Sequence, residues 1–154
     1  VVDVYEKILV PLDGSKLAEV ALSHVEQLAW ELHSSLILLR VVKPPRSLEY
    51  PRAEDLMALN REREAVFKRE AETYLAAQRG ELRTKKIKVS TRVIVSEAVA
   101  LAILDFAEQE GVHLIAMSTH GRSGVSRWVY GSVAEKVLQG ASCPVLLIRA
   151  KRED

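Results

Sequence analysis

The sequence predicts an α/β fold, a single doubly wound domain spanning 1–154 with a five-stranded parallel sheet and helices on both faces. Two observations carry that expectation. Of five short apolar runs, four are continuous rather than alternating, as strands covered on both faces are. Between them lie stretches whose apolar residues recur at steps of three and four. No linker and no internal repeat divides the chain.

The first run, Lys7 to Leu12, ends in Asp13-Gly14-Ser15. Pro11 belongs at the end of that strand, because it cannot donate to a central ladder. Ser15 suits the N-cap of a helix over Leu17–Leu32, whose stripe is Ala18, Ala21, Leu22, Val25, Leu28, Ala29 and Leu32. His24 and His33 fall near the polar side or at the helix end and are read as solvated, and Trp30 at the margin is expected to pack on a neighbouring element. Ser35–Val42 is the second strand, stopped by Lys43-Pro44-Pro45, and 46–51 reads as loop.

Ala53–Arg79 reads as a long charged helix with Leu56, Leu59, Val66, Phe67, Tyr74 and Leu75 on its apolar side and Gly80 as its stop. Its mixed charges describe a solvated face with i,i+4 pairs rather than a coiled coil or a nucleic-acid arm. Ile87–Val95 alternates before turning solidly apolar, which places this strand at or near an edge. Ser96-Glu97 would cap the next helix, which buries Val99, Ala102, Ile103, Phe106 and Ala107 and ends at Gly111. Val112–Met117 is the fourth strand, Val133–Leu138 lies in the last helix, and Cys143–Arg149 is the fifth strand.

Composition narrows the function classes. Net charge is +1 with the signs interspersed, and aromatics are 5%, so no basic or base-stacking surface points to nucleic acid or to an anionic membrane. Cys143 is the sole cysteine, which leaves no intrachain disulfide and no cysteine metal cluster. No apolar run approaches the roughly 20 residues of a membrane span. The first six residues do not resemble a signal peptide, and a cytoplasmic location is expected.

The stretch 118–132 joins the fourth strand to the last helix and holds three glycines, Gly121, Gly124 and Gly131. Such a connection can turn backbone N–H groups and a helix N-terminus toward an anion, and phosphate is the ligand that chemistry suggests. It contains neither Gly-Lys-Ser/Thr nor Gly-x-Gly-x-x-Gly. An ordinary strand–helix loop with glycines at its turns has the same composition. In a doubly wound sheet, ligands bind beyond the C-terminal strand ends where strand order reverses. Asp13, Val41-Val42 and the 118–132 stretch would converge there.

Over nearly its whole length the chain resembles the universal stress protein family. The resemblance rests on Lys7-Ile8-Leu9-Val10-Pro11-Leu12-Asp13-Gly14-Ser15, on the run from Gly111 to Gly124, on Gly131-Ser132-Val133-Ala134-Glu135-Lys136-Val137, and on Cys143-Pro144-Val145-Leu146-Leu147-Ile148. It implies a sheet in the order 3-2-1-4-5. ATP-binding members carry Gly, two residues, Gly, nine residues, Gly and then Ser or Thr. Here the later positions are Gly121, Gly131 and Ser132, but the first glycine position is Ser118.

The resemblance also implies roles. Asp13 would lie near ribose and phosphates and hold a divalent cation, Mg or Mn, directly or through water. Val41 would meet adenine through its backbone, with Pro11 and Leu12 lining that pocket and Met117 either touching the base or filling core. Gly121, Gly131, Ser132 and Val133 would offer N–H groups to phosphate, with Arg122 adding charge and Ser118 adjoining the ribose or a phosphate. Arg127 reads as surface and His120 as structural; Ser123, Ser126, Trp128 and Tyr130 are weaker candidates. The ligand would be ATP, or ADP or AMP. Members commonly pair through the last strand, here Val145, Leu146, Leu147 and Ile148, so a homodimer is expected. The implied function is a nucleotide-binding stress-response module with little or no turnover, with a further protein as an additional partner. The alternatives are a member that acts through protein contacts alone, or a slow ATPase or adenylyl-transfer enzyme.

Overall fold

The computed structural model describes residues 4–46, 53–119 and 131–150. Five strands alternate with four helices: β1 (Lys7–Pro11), α1 (Lys16–Leu32), β2 (Ser35–Val42), α2 (Ala53–Thr84), β3 (Val89–Val95), α3 (Val99–Gln109), β4 (Leu114–Thr119), α4 (Ser132–Gly140) and β5 (Val145–Arg149). All recorded pairings are parallel, and the order is β3-β2-β1-β4-β5, as expected. The order reverses between β1 and β4, which fixes the topological switch point there.

Strand pleating sorts the core into two layers. Ile8, Val10 and Leu12 pack on one face with Ala21, Leu22 and Val25 of α1 and Leu75 and Leu82 of α2. Leu9 faces the other side with Ile103 and Phe106 of α3 and Ala134 and Val137 of α4. Both faces of β1 are therefore covered, which is why its run is continuously apolar. Each fully buried Leu or Ile contributes on the order of 1.5–3 kcal/mol of transfer free energy.

The β1–β4 pair is closed at its base and open at its top. At the base, Lys7 N–H donates to His113 Nδ1 at 3.2 Å, and His113 N–H returns a bond to Lys7 O at 2.9 Å. Pairing is recorded at Ile8↔Leu114 and Leu9↔Ile115 and no further. Successive N–H groups along a strand point to opposite neighbours. Leu12 N–H goes to Leu39 O of β2 at 2.8 Å, so position 11 faces β4, where proline has no N–H to offer. Pro11 thus ends the ladder where a crevice must open.

Some element limits differ from the sequence expectation. α2 runs past Gly80 to Thr84. Gly80 is exposed with nothing near it, while Leu82, two residues on, is 4% exposed in the core. Burial of Leu82 outweighs the roughly 1 kcal/mol penalty of a helical glycine. Trp30 does not pack on a neighbour as expected but stands 57% exposed, and Val66 of the expected α2 stripe is exposed as well. Ala98, not Ser96, is the N-cap of α3; Ser96 Oγ accepts from Ala98 N–H at 3.1 Å, closing the turn before the helix. His24 and His33 are exposed, and His33 ends α1 in the left-handed region with φ 53°.

Candidate functional site

At the switch point the chain encloses a cavity beyond the strand ends. Pro11, Leu12 and Asp13 approach from β1, and Met117 and Ser118 from β4. Val41 comes from β2, and Gly131, Ser132 and Val133 from the start of α4. The sequence-derived site residues within the described chain therefore surround one space. Gly121 and Arg122, with the weaker candidates from His120 to Tyr130, lie outside the described residues.

Several wall residues carried no functional signal in the sequence. Leu39 of β2, Val99 and Ile103 of α3, and Ala134 of α4 line the cavity together with Leu17 and Ala18 of α1. Val99 and Ile103 belong to the apolar stripe of α3, and periodicity does not separate core from cavity wall. Ser15 also reaches the cavity, where its N-cap role is local and legible.

Two helices begin at this cavity. Ser15 caps α1, its Oγ accepting from Ala18 N–H at 3.1 Å. Asp13 Oδ1 accepts from Ser15 N–H at 2.9 Å and from Ser15 Oγ at 2.5 Å, which fixes the turn. Gly14 holds φ +87° within that turn. At α4, Gly131 is the N-cap with φ +87° and ψ 150°, and it makes no side-chain cap bond. The first-turn N–H groups that follow it have no helical carbonyl before them. Anions are favoured at both helix ends, while Asp13 brings one negative charge between them.

Ser118 is half-buried, and its Oγ donates to Ala18 O at 3.3 Å. Its proton is thus directed to α1, and the lone pairs of the hydroxyl remain as acceptors. Leu39, Val41, Met117 and Ile103 add apolar wall to the same cavity. Among the described residues no group of three or more His, Cys, Asp or Glu side chains is placed to hold a metal ion. A cation at Asp13 would have to take most of its ligands from a bound phosphate and water, as Mg does. Burial raises the pKa of the Cys143 thiol, which keeps it protonated and a poor nucleophile.

The fold and the sequence meet in one family. The universal stress protein family model matches residues 4–149, and the chain belongs to that family. Universal stress protein MJ0531 of Methanocaldococcus jannaschii is 31% identical over 153 residues, covering 99% of this chain and 86% of its own. The solved structure of hypothetical protein MJ0577, from the same organism, has a TM-score of 0.80 and 29% identity, covering 97% of this chain and 99% of its own. A universal stress protein in complex with cAMP has the same fold, with a TM-score of 0.63 and 19% identity, covering 96% of this chain and 98% of its own.

Proposed function

We propose that this chain is a one-domain adenine-nucleotide-binding module, with ATP as its leading ligand and little or no turnover. The observation that carries this reading is a cavity lined both by two helix N-termini with Asp13 and by the apolar side chains of Leu39, Val41 and Met117. That combination suits a molecule with an anionic end and a flat apolar end. The fold relative in complex with cAMP supports the same ligand class. Asp13 would hold Mg or Mn carried in by the phosphates, since a bare carboxylate beside a polyphosphate is repulsive. Low turnover is inferred because the sequence has no Gly-Lys-Ser/Thr loop to cradle a transferring phosphoryl group.

Nucleotide occupancy would then regulate contacts with another protein or the geometry of a homodimer paired through β5, in the cytoplasm. No helix among the described residues is long and apolar enough to cross a membrane.

Calorimetric titration of ligand-stripped protein with ATP, with and without Mg, tests the reading. Saturable binding near one nucleotide per chain is expected. No heat at millimolar ATP from folded protein would leave the family member that acts through protein contacts alone. Gly131→Val should weaken ATP binding by about tenfold or more, about 1.4 kcal/mol, while far-UV dichroism stays native. A β-branched residue rarely adopts the φ of +87° found there, so some thermal stability should also be lost. Unchanged ATP affinity in that variant would remove Gly131 from the phosphate path.

A further inference from the structure

One charged group beside the cavity has no place in the nucleotide reading. Val41 lines the cavity, but Arg40, one residue earlier on β2, faces the α1–α2 layer. Its guanidinium lies against Gly14. A Cβ built on Gly14 would stand 3.1 Å from Nη2 and 3.2 Å from both Cζ and Nη1. Three near-equal distances mean that the flat face of the group, rather than its edge, meets the turn. The same Cζ lies 5.2 Å from the centroid of the Tyr74 ring, within cation–π range.

Tyr74 is itself fixed. Its hydroxyl donates to Glu19 Oε1 at 3.0 Å, and Gln78 Nε2 donates to the same oxygen at 3.4 Å. Lys16 Nζ pairs with the other oxygen of Glu19 at 3.1 Å. α2, the first turn of α1 and β2 thereby hold one cation against the turn that presents Asp13. Arginine suits this position because its guanidinium is planar, weakly hydrated and always charged.

We propose that Arg40 is a positioning residue for the Asp13–Ser15 turn and sets the preference of the cavity for phosphorylated over unphosphorylated adenosine. This rests on the nucleotide reading above. The flat guanidinium supports the Gly14 backbone, so the Asp13 and Ser15 groups stay where the two helix ends converge. Its charge offsets that of Asp13, so an anionic ligand depends less on an accompanying divalent cation. Glycine at position 14 suits its φ of +87°, and a side chain there would also press on the guanidinium.

The test compares wild type with Arg40→Met, which keeps the stem and removes the charge, and with Arg40→Lys, which keeps the charge and removes the flat face. ATP and adenosine are titrated calorimetrically, each without Mg and at saturating Mg. Hydrogen exchange of the Ser15 amide is followed in nucleotide-free protein. Arg40→Met should weaken Mg-free ATP binding by about tenfold and adenosine binding by less than about twofold. Saturating Mg should narrow the ATP loss to about threefold, and Arg40→Lys should restore Mg-free ATP affinity to within about threefold of wild type. Ser15 amide exchange should quicken by about fivefold or more in Arg40→Met.

Equal losses for ATP and adenosine would make Arg40 a merely structural residue and overturn its role in preference. Unchanged Ser15 exchange would overturn the positioning role. If wild type binds neither ligand, the nucleotide reading fails and the phosphate preference with it, and Ser15 exchange alone then decides the positioning role. Arg40→Gln serves in place of the methionine variant if that variant does not fold.

Discussion

Ser118, where the family resemblance implies a glycine in ATP-binding members, lines the cavity. The resemblance implies that Ser118 adjoins the ribose or a phosphate. In the structure Oγ donates to Ala18 O at 3.3 Å, tying β4 to the first turn of α1. Ser118→Gly removes that bond and adds backbone freedom within a strand, so stability should fall by about 1 kcal/mol in denaturant unfolding. ATP affinity should stay within about twofold of wild type or tighten modestly, because the lost group points to the helix. A large loss of affinity would show instead that Ser118 touches the nucleotide. The residue type at 118 was legible in the sequence, but the direction of its hydroxyl depends on where α1 packs, one hundred residues away.

At the scale of elements, the contact of α2 with α1 is built around Tyr74. Burial first, and then the hydrogen bond to Glu19, push the Tyr74 phenol well above the ordinary tyrosine range; Glu19 adds a repulsive charge, Arg40 opposes it, and Asp13 reinforces it. A folded-state pKa above the unfolded value gives stability that is complete below the unfolded value, about 10, and is lost as pH rises through the folded one. Wild type should therefore lose stability as pH climbs above about 10, and Tyr74→Phe should show a shallower decline over that window. At neutral pH the variant should be less stable by about 1 kcal/mol, since it lacks the bond to Glu19. Parallel slopes for the two proteins in urea unfolding from pH 8 to 11 would rule out Tyr74 as the titrating group. Tyr74 was visible in the sequence as part of an apolar stripe; its Glu19 partner, 55 residues earlier, was not.

For the molecule as a whole, the sheet leaves β5 at one edge and β3 at the other. Val145, Leu146 and Leu147 are each only half-buried although strongly apolar, and Ile148 is 7% exposed. A short apolar edge strand offers unpaired N–H and C=O groups to another copy. The proposed homodimer should sediment at twice the chain mass at micromolar concentration. Leu147→Lys should shift it toward monomer, with ATP affinity per chain within about twofold of wild type if dimer and nucleotide site are independent. Sedimentation of wild type as a monomer would remove β5 as the dimer interface.

The sequence by itself determined the class of fold, because continuous apolar runs and helical stripes report burial, and burial is local in its residue chemistry. It also determined the cap at Ser15 and the strand end at Pro11, since each depends on one residue's own hydrogen-bonding capacity. Tertiary structure decided what periodicity cannot carry. It extended α2 through Gly80, because Leu82 reached a core assembled from distant strands. It made Val99 and Ile103 cavity wall rather than plain core. It also set Arg40 against Gly14 and Tyr74, a contact among three segments that no one segment specifies. Local pattern records whether a side chain prefers to be buried; only the packed chain settles what it is buried against.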